Sequence, residues 1–372
     1  MARLGDICSI NMGQSPDSST YNEERIGLPF FQGNADFGTL HPSVRIWCST
    51  PVKIAKQNDI LISVRAPIGA LNIADMECCI GRGLAALTVN PAICEQKYVW
   101  YGLESKVEEL ISKGTGSTFK AISKSILLDT ELPIPCLTEQ VHIAAVLDKV
   151  SELIDLRKQQ IAKLNELVKA RFVEMFGDLL NNTMHWTFKP LAELCDVRDG
   201  THDSPKYYST GYPLLTSKNF TNGFVDFANA SLISKEDFDA INQRSKVDYG
   251  DIVMPMIGTI GHPVIIDTNQ PFAIKNVALI KFGNSEVSNV FIKEILDSNY
   301  FKAVIQEKNR GNTQKFIALG DIRKIMIPLV PTEMQSIFSN FVNNTNKEKL
   351  AIQQGLDTME TLKKALMQEY FG

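Results

Sequence analysis

The chain has 372 residues, which is enough for two or three domains with substantial cores. Its 44% apolar and 22% charged residues are ordinary for a folded protein, so disorder, collagen and a coiled-coil rod are excluded as descriptions of the whole chain. The formal net charge of −4 argues against a simple basic DNA-coating protein and leaves room for nucleic-acid binding through local patches.

Targeting and redox signals are weak. Apolar runs such as residues 60–64 are too short to span a bilayer, and residues 1–6 lack the apolar core of a signal peptide, so we expect a cytoplasmic chain with no membrane partner. The seven cysteines form no CxxC pair, and no histidine lies at HExxH spacing. We therefore expect reduced thiols, no disulfide framework and no metal site.

The first third of the chain has the pattern of a β-rich module with short helices. Apolar runs at 59–64 and 84–89 predict strands, with Gly and Pro punctuating the segments between them. A short helix is expected within 97–112. We assign this module to residues 1–135.

A long helix is predicted next, within residues 136–177. Pro133 and Pro135 exclude an earlier start, so the helix should begin at Thr138 or Glu139 and stop at Gly177. Apolar residues recur every seven positions, which marks a face that needs a partner. These residues are Leu147, Ile154, Ile161 and Val168.

The second half of the chain follows the same plan. Strands at 251–256 and 277–282 and a helix within 290–307 predict a second β-rich module over 178–330. A second long helix is expected over 331–372. Its apolar stripe contains Ile352, Leu356, Met359 and Leu366.

Residues 116–177 and 311–372 form an internal repeat without gaps at an offset of 195. They share 13 identities in 62 positions, against about four expected from average residue usage. The N-terminal parts match loosely, at an offset of 187 between residues 4–8 and 191–195. Beyond that match, Gln14-Ser15-Pro16 replaces the longer Gly200–Pro205 segment, and the alignment is harder. The repeat predicts an α+β chain whose two helices pair as an antiparallel coiled coil.

Sequence motifs for catalysis are missing. No GxxxxGK[ST] phosphate loop occurs, no Asn/Asp-Pro-Pro-Tyr tetrapeptide of an amino-methyltransferase occurs, and Pro16-Asp17 lacks the acidic-x-Lys of a nuclease. The pattern favours a binding protein over a catalyst. An enzyme with unrecognised methyltransferase or nuclease motifs and a structural coiled-coil adaptor are the alternatives.

The order of features resembles the specificity subunit of type I restriction–modification enzymes. Each copy has a Gly-x-Thr turn, a proline-containing strand, a Thr-Glu-Gln-type helix start and a long helix that ends in Phe-Gly, and residues 199–205 (DGTHDSP) add to the likeness. The resemblance covers essentially the whole chain. The second copy departs from the first at Met334, which stands where the first copy has an acidic residue.

This resemblance implies a non-catalytic subunit that recognises double-stranded DNA. Each module would be a target recognition domain for one half of a bipartite sequence, and the helices would set the gap between the halves. The helices would also dock methyltransferase subunits, two being expected, which would recruit the motor-nuclease subunits. Any S-adenosylmethionine, ATP and Mg²⁺ would belong to those partners, and no cofactor is expected here.

Candidate DNA contacts are polar and basic residues in the predicted loops, since Arg, Lys, Asn and Gln read base edges and hydroxyl and ammonium groups bind phosphate. For the recurring turns at 116–120 and 311–315, a role in DNA contact is favoured slightly over a purely structural role. In the first module the candidates are Gln14, Ser15, Arg65, Arg82, Lys113, Ser117, Thr118 and Lys120. In the second they are Thr201, His202, Lys206, Lys218, Asn219, Lys275, Asn276, Arg310, Asn312, Thr313, Gln314 and Lys315.

Overall fold

The fold was analysed in a computed structural model, which describes residues 1–116, 120–221, 223–257, 261–283, 285–308 and 316–372. The chain forms two compact units, one of residues 1–158 with 354–372 and the other of residues 159–353. Each unit therefore contains one β-rich module, part of the long helix that follows it and part of the other long helix.

The first unit is built on a four-stranded antiparallel sheet in the order β2-β10-β7-β8 and a five-stranded sheet in the order β3-β5-β4-β9-β6. Its strands are β1 (Ala2–Arg3), β2 (Cys8–Met12), β3 (Tyr21–Asn22), β4 (Leu28–Phe31), β5 (Ile46–Cys48), β6 (Ile54–Ala55), β7 (Ile60–Ser63), β8 (Leu71–Ile73), β9 (Cys78–Ile80), β10 (Leu84–Val89) and β11 (Glu131–Leu132). Its helices are α1 (Leu4–Ile7), α2 (Gln96–Ser105), α3 (Val107–Lys113), α4 (Lys124–Leu128) and the first part of α5 (Leu137–Phe176).

The second unit repeats this plan, with a four-stranded sheet in the order β13-β21-β18-β19 and a three-stranded sheet in the order β17-β14-β20. Its strands are β12 (Phe188–Pro190), β13 (Asp196–Asp199), β14 (Tyr212–Leu215), β15 (Phe220–Thr221), β16 (Phe224–Val225), β17 (Ser231–Ile233), β18 (Ile252–Pro255), β19 (Val264–Ile265), β20 (Ala273–Ile274), β21 (Val277–Lys281) and β22 (Met326–Pro328). Its helices are α6 (Leu191–Leu194), α7 (Lys235–Ser245), α8 (Asn289–Asp297), α9 (Asn299–Lys308), α10 (Leu319–Arg323) and the first part of α11 (Thr332–Phe371).

The central strands β7 and β18 are buried along their whole length, which explains their uninterrupted apolar sequences. Successive side chains point to opposite faces of a sheet. In β18, Ile252 and Met254 accordingly belong to one core cluster and Val253 to another. The strands predicted at 59–64, 84–89, 251–256 and 277–282 are confirmed by β7, β10, β18 and β21.

The two long helices begin and end at the repeat offset of 195. The first starts at Leu137, next to the predicted Thr138, and the second spans Thr332–Phe371. Gly177 ends the first helix as predicted, because it adopts φ +76°, which favours glycine, while its N–H bonds the Val173 carbonyl at 2.8 Å.

Within the first unit, the start of α5 packs against the end of α11. Ile143 and Leu147 share a core cluster with Phe371, and the Tyr98 and Phe371 rings lie 4.9 Å apart. Lys158 Nζ also lies 2.8 Å from Glu360 Oε1. Since early residues of one helix meet late residues of the other, this pairing is antiparallel.

Within the second unit, the end of α5 packs against the start of α11. The Phe338 ring centroid lies 5.6 Å from that of Phe172 and 5.3 Å from that of Phe176. Both α5 rings also contact Phe291 of the module, at 5.9 and 4.8 Å. The predicted antiparallel arrangement is thus confirmed in each unit, and the helices additionally pack on the modules.

The predicted heptad residues differ in burial. Leu147, Ile154, Val168 and Leu356 are buried, whereas Ile161, Ile352, Met359 and Leu366 are half-buried. Two of the buried residues also pack on the modules: Leu147 shares a core cluster with Tyr98 of the first module, and Val168 shares one with Phe291 of the second. None of the helices in the described ranges is long and apolar enough to cross a membrane.

Candidate nucleic-acid interface

In the first module, three loops meet where β2, β4 and β9 end, at 13–15, 32–33 and 81–83. Backbone hydrogen bonds join them: Gln14 N–H donates to Ile80 O at 3.0 Å, and Gly81 N–H donates to Phe31 O at 2.8 Å. A Cβ on Gly13 would lie 2.2 Å from Gly81 O, so only glycine permits this approach. We call these segments, with Arg65 and Lys120, the first loop junction.

The first loop junction presents the predicted Gln14, Ser15 and Arg82 together with Gln32, which was not predicted. Gln32 Nε2 donates to Ser15 Oγ at 2.9 Å, and Ser15 Oγ accepts a bond from the Arg82 N–H at 3.3 Å. Gln14, Gln32 and Arg82 are exposed. Glycine neighbours on both sides of Arg82 allow its backbone to lie close to Gln32.

Arg65 and Lys120 lie beside these loops. Val64 N–H donates to the Gly83 carbonyl at 2.9 Å, and Arg65 forms an antiparallel bridge with Ala121, which follows Lys120. Both basic side chains are exposed. Lys113 is also exposed, but its Nζ lies 2.6 Å from Glu109 Oε1, which offsets its charge.

The second module builds the same junction with other residues. Gly200 N–H bonds Val277 O at 3.0 Å, as Gly13 N–H bonds Leu84 O at 2.9 Å. Thr201 N–H donates to Ile274 O and Lys275 N–H to Leu215 O, at 3.0 and 2.9 Å, which matches the two bonds of the first junction. The second loop junction comprises 200–202, 216, 257, 275–276 and 316.

This correspondence corrects the sequence alignment at the start of the modules. Gly13-Gln14 is the counterpart of Gly200-Thr201, so the offset of 187 continues to these residues, and it falls to 184 where Phe31 corresponds to Leu215. The sequence left this open, because only the backbone bonds and the shared glycine mark the equivalence.

The polar side chains at and near the second loop junction differ from those of the first. His202 lies between Asn276 Oδ1 and Asp199 Oδ2, with nitrogen–oxygen distances of 2.9 Å to each. Lys275 Nζ donates to Ser204 Oγ at 2.5 Å. Lys206 and Lys218 are exposed, and Lys206 Nζ lies 5.6 Å from the Tyr208 ring centroid.

Asn219 has a structural position in place of the predicted DNA contact. It is 3% exposed, its Oδ1 accepts the Thr216 N–H at 2.9 Å, and its Nδ2 donates to Asp226 O at 3.0 Å. Its amide is therefore used in shaping the loop.

Seven other candidates lie outside the described residues: Ser117, Thr118, Arg310, Asn312, Thr313, Gln314 and Lys315.

Besides Gln32, sequence reasoning missed two arginines and two aspartates that lie beside these junctions. Arg45 Nη2 pairs with Asp36 Oδ1, and Arg244 Nη2 pairs with Asp199 Oδ1. Arg45 and Arg244 lie away from the glycine-containing loops in sequence, so neither a motif nor the repeat marks them. Their pairing with Asp36 and Asp199 can be recognised only in the folded structure.

The seven cysteines are free, and six of them are buried. Burial raises the pKa of the Cys8 and Cys78 thiols to about 12, and Cys136 is exposed. Within the described ranges, no group of three or more His, Cys, Asp or Glu side chains is placed to hold a metal ion.

The structure is a repeated α+β fold that carries one polar loop junction in each half. The family model for the type I restriction modification DNA specificity domain matches residues 1–166 and 184–358. The chain belongs to this family, whose members are the non-catalytic, DNA-recognising part of type I restriction–modification enzymes.

Individual relatives agree with this assignment. The chain is 41% identical to the putative type I restriction enzyme MjaX specificity subunit of Methanocaldococcus jannaschii over 160 residues, which cover 43% of this chain and 38% of that protein. It is 23% identical to the MjaVIII specificity subunit of the same organism over 81% of this chain and 77% of that protein. The crystal structure of the type I restriction–modification S subunit from M. genitalium shares the fold, with a TM-score of 0.61, 17% identity, and coverage of 100% of this chain and 95% of that one.

Proposed function

We propose that the chain reads a bipartite double-stranded DNA target, with each loop junction reading one half. The observation that carries this proposal is that both modules hold the same three backbone segments together but present different side chains. Gln14 and Arg82 in one correspond to Thr201 and Asn276 in the other. A shared backbone with different donors and acceptors suits recognition of two unlike sequences.

The long helices are proposed to set the distance between the half-sites and to dock partner subunits. At about 1.5 Å per residue, each 40-residue helix is about 60 Å long. Leu167 and Leu362 occupy the same repeat position, and each is 48% exposed. Repeat-related exposed leucines favour docking of two copies of one partner, here the methyltransferase subunits, with the motor-nuclease subunits binding through them.

Catalysis is assigned in this proposal to the partner subunits, which would use S-adenosylmethionine, ATP and Mg²⁺, while this chain uses no cofactor. The resemblance to specificity subunits supports that division. It also favours a cytoplasmic location, because the DNA target lies in that compartment.

The test is replacement of residues 181–327 by the corresponding module of a related subunit. The replacement should keep an aromatic residue at Phe291, because Phe172 and Phe176 of α5 pack against it. Methylated bases are then mapped with the methyltransferase subunits present.

We expect one half of the methylated sequence to change and the other to stay the same. A change in both halves, or in neither, would contradict the assignment of one half-site to each module. Methylation or cleavage by the isolated chain would contradict the assignment of catalysis to its partners.

A further inference from the structure

Each module contains an exposed arginine that is held by a buried aspartate. The side chain of Arg45 is 62% exposed and that of its partner Asp36 is 10% exposed. The side chain of Arg244 is 67% exposed and that of its partner Asp199 is 9% exposed. In both pairs the carboxylate is fixed inside the module and the guanidinium projects outward.

Both carboxylates are bonded to the loop junctions. Asp36 Oδ2 accepts the N–H groups of Gln32 and Gly33, at 2.7 and 3.3 Å. Asp199 ends β13 directly before the second loop junction, and its Oδ2 lies 2.9 Å from Nε2 of His202. Each arginine is therefore anchored to the backbone or side chains of the junction beside it.

The two anchors do not come from the internal repeat. Asn219 occupies the place of Asp36, since both residues end a short 3₁₀ helix and accept a bond from the backbone that precedes it. Met12 occupies the place of Asp199, since both end the strand before the junction glycine. An ion pair that served only the common fold would be expected at equivalent positions. Here an arginine–aspartate ion pair lies beside each junction, but its residues occupy different positions in the two modules.

We propose that Arg45 and Arg244 are base-reading residues, one for each half-site, and that Asp36 and Asp199 are the positioning residues that hold them. This inference rests on the proposed function. Each carboxylate bonds Nη2 of its arginine, and the guanidinium carries further N–H groups with which to bind DNA. An arginine fork bonds O6 and N7 of guanine, so each half-site is expected to contain a guanine that depends on its arginine.

Holding the arginine in advance favours such reading. A free arginine loses side-chain freedom when it binds, whereas an arginine already fixed by a buried carboxylate loses less. The anchor also limits which base pair the guanidinium can reach, which is the requirement for sequence preference as opposed to general phosphate binding.

The test measures binding of the complete complex, with its methyltransferase subunits, to duplexes in which each base pair of the target is varied in turn. For R45A, discrimination at one guanine-containing base pair of the first half should fall about 10- to 100-fold, the equivalent of one bidentate contact. Preferences in the second half should be unchanged. R244A should give the reverse pattern.

Two further variants separate positioning from charge and from stability. Arg45→Lys keeps the charge but cannot form the fork, so it should lose the same discrimination. D36N follows the example of Asn219, which accepts the corresponding backbone bond, so the module should fold while Arg45 loses its anchor. Discrimination at the same base pair should then fall with an unchanged melting temperature.

Lys235→Ala is the matched control, because Lys235 is exposed on α7, the helix of Arg244, and pairs with Asp239. It should leave every preference unchanged. The inference is wrong if R45A and R244A weaken binding to all sequences equally, or if they leave all base preferences intact. The proposed function stands in either case, provided that the wild-type complex reads a bipartite target. If the wild-type complex itself has no bipartite preference, the proposed function fails.

Discussion

Replacing Gln335 by Leu should destabilise the second unit strongly, although the side chain is neither at a loop junction nor charged. Gln335 is 3% exposed; its Nε2 donates to Val330 O at 2.8 Å and its Oε1 accepts the Ser288 N–H at 2.9 Å. These bonds tie the first turn of α11 to the segment between β22 and α11 and to the start of α8. Gln140, its partner in the repeat, makes the corresponding bonds in the first unit.

The expected magnitude follows from the groups that lose their partners. Leucine has a similar volume but leaves the buried Val330 carbonyl and the half-buried Ser288 N–H unpaired. Each unpaired buried group costs about 1–3 kcal/mol, and the half-buried N–H lies toward the lower end of that range. The free energy of unfolding should therefore fall by about 2–5 kcal/mol. For a unit of this size, that corresponds to a melting temperature lower by about 5–15 °C.

The measurement is urea and thermal unfolding followed by the fluorescence of Trp186, which lies in the second unit, with the other two tryptophans replaced by Phe. Ser336→Ala is the control, since Ser336 is the next residue of the helix and is exposed. It should change the free energy of unfolding by less than about 0.5 kcal/mol. If Gln335→Leu unfolds at the same urea concentration as Ser336→Ala, the buried bonds do not carry the stability assigned to them.

Four further results are expected. Leu356→Asp should lower the free energy of unfolding by about 3 kcal/mol or more, because Leu356 is 5% exposed. Leu362→Asp on the same helix should lower it little, because Leu362 is 48% exposed. Equal unfolding midpoints of the two variants in urea would argue against the helix packing. A thiol reagent should label Cys136 alone in the native chain, and labelling of a second thiol at the same rate would contradict the described burial. Because burial raises the pKa of Cys78 to about 12, the folded chain keeps that proton where the unfolded chain loses it. Between about pH 9 and 12 this thiol should therefore lower the free energy of unfolding by about 1.4 kcal/mol per pH unit, beside the similar contribution of Cys8, and Cys78→Ala should reduce the slope by that amount in urea titrations. Lys120→Ala in the assembled complex should lower the salt slope of DNA binding by about one unit for all sequences alike, and an unchanged slope would exclude Lys120 as a phosphate ligand.

Much of the architecture could be predicted from one sequence because the repeat is ungapped where the helices are. The apolar stripe, the flanking prolines and the closing Gly177 placed the first helix to within one or two residues. The buried glutamines and the terminal Phe176 and Phe371 were visible as identities. Their roles were not visible, since a glutamine that bonds two backbone groups looks like any polar residue at a helix start.

The candidate site was predicted less completely. Short loops with Gly, Ser, Arg and Lys indicated where polar groups gather, and most of the described candidates do lie at the two junctions. Asn219 shows the limit, because an amide in a loop can bond the backbone as readily as a base. Arg45 and Arg244 show the converse limit, because only the burial of Asp36 and Asp199 distinguishes them from other surface arginines.

By itself, then, the sequence determined the repeat, the order of modules and helices, and the family, since these depend on local periodicity and on identities at a constant offset. Only the tertiary structure decided on which module each pair of helix ends packs, and which loops meet. Those contacts join residues that are far apart in the chain, and the free energy that selects them comes from burial of apolar faces and pairing of buried polar groups. No local pattern carries that information, so it appears only when the chain is folded.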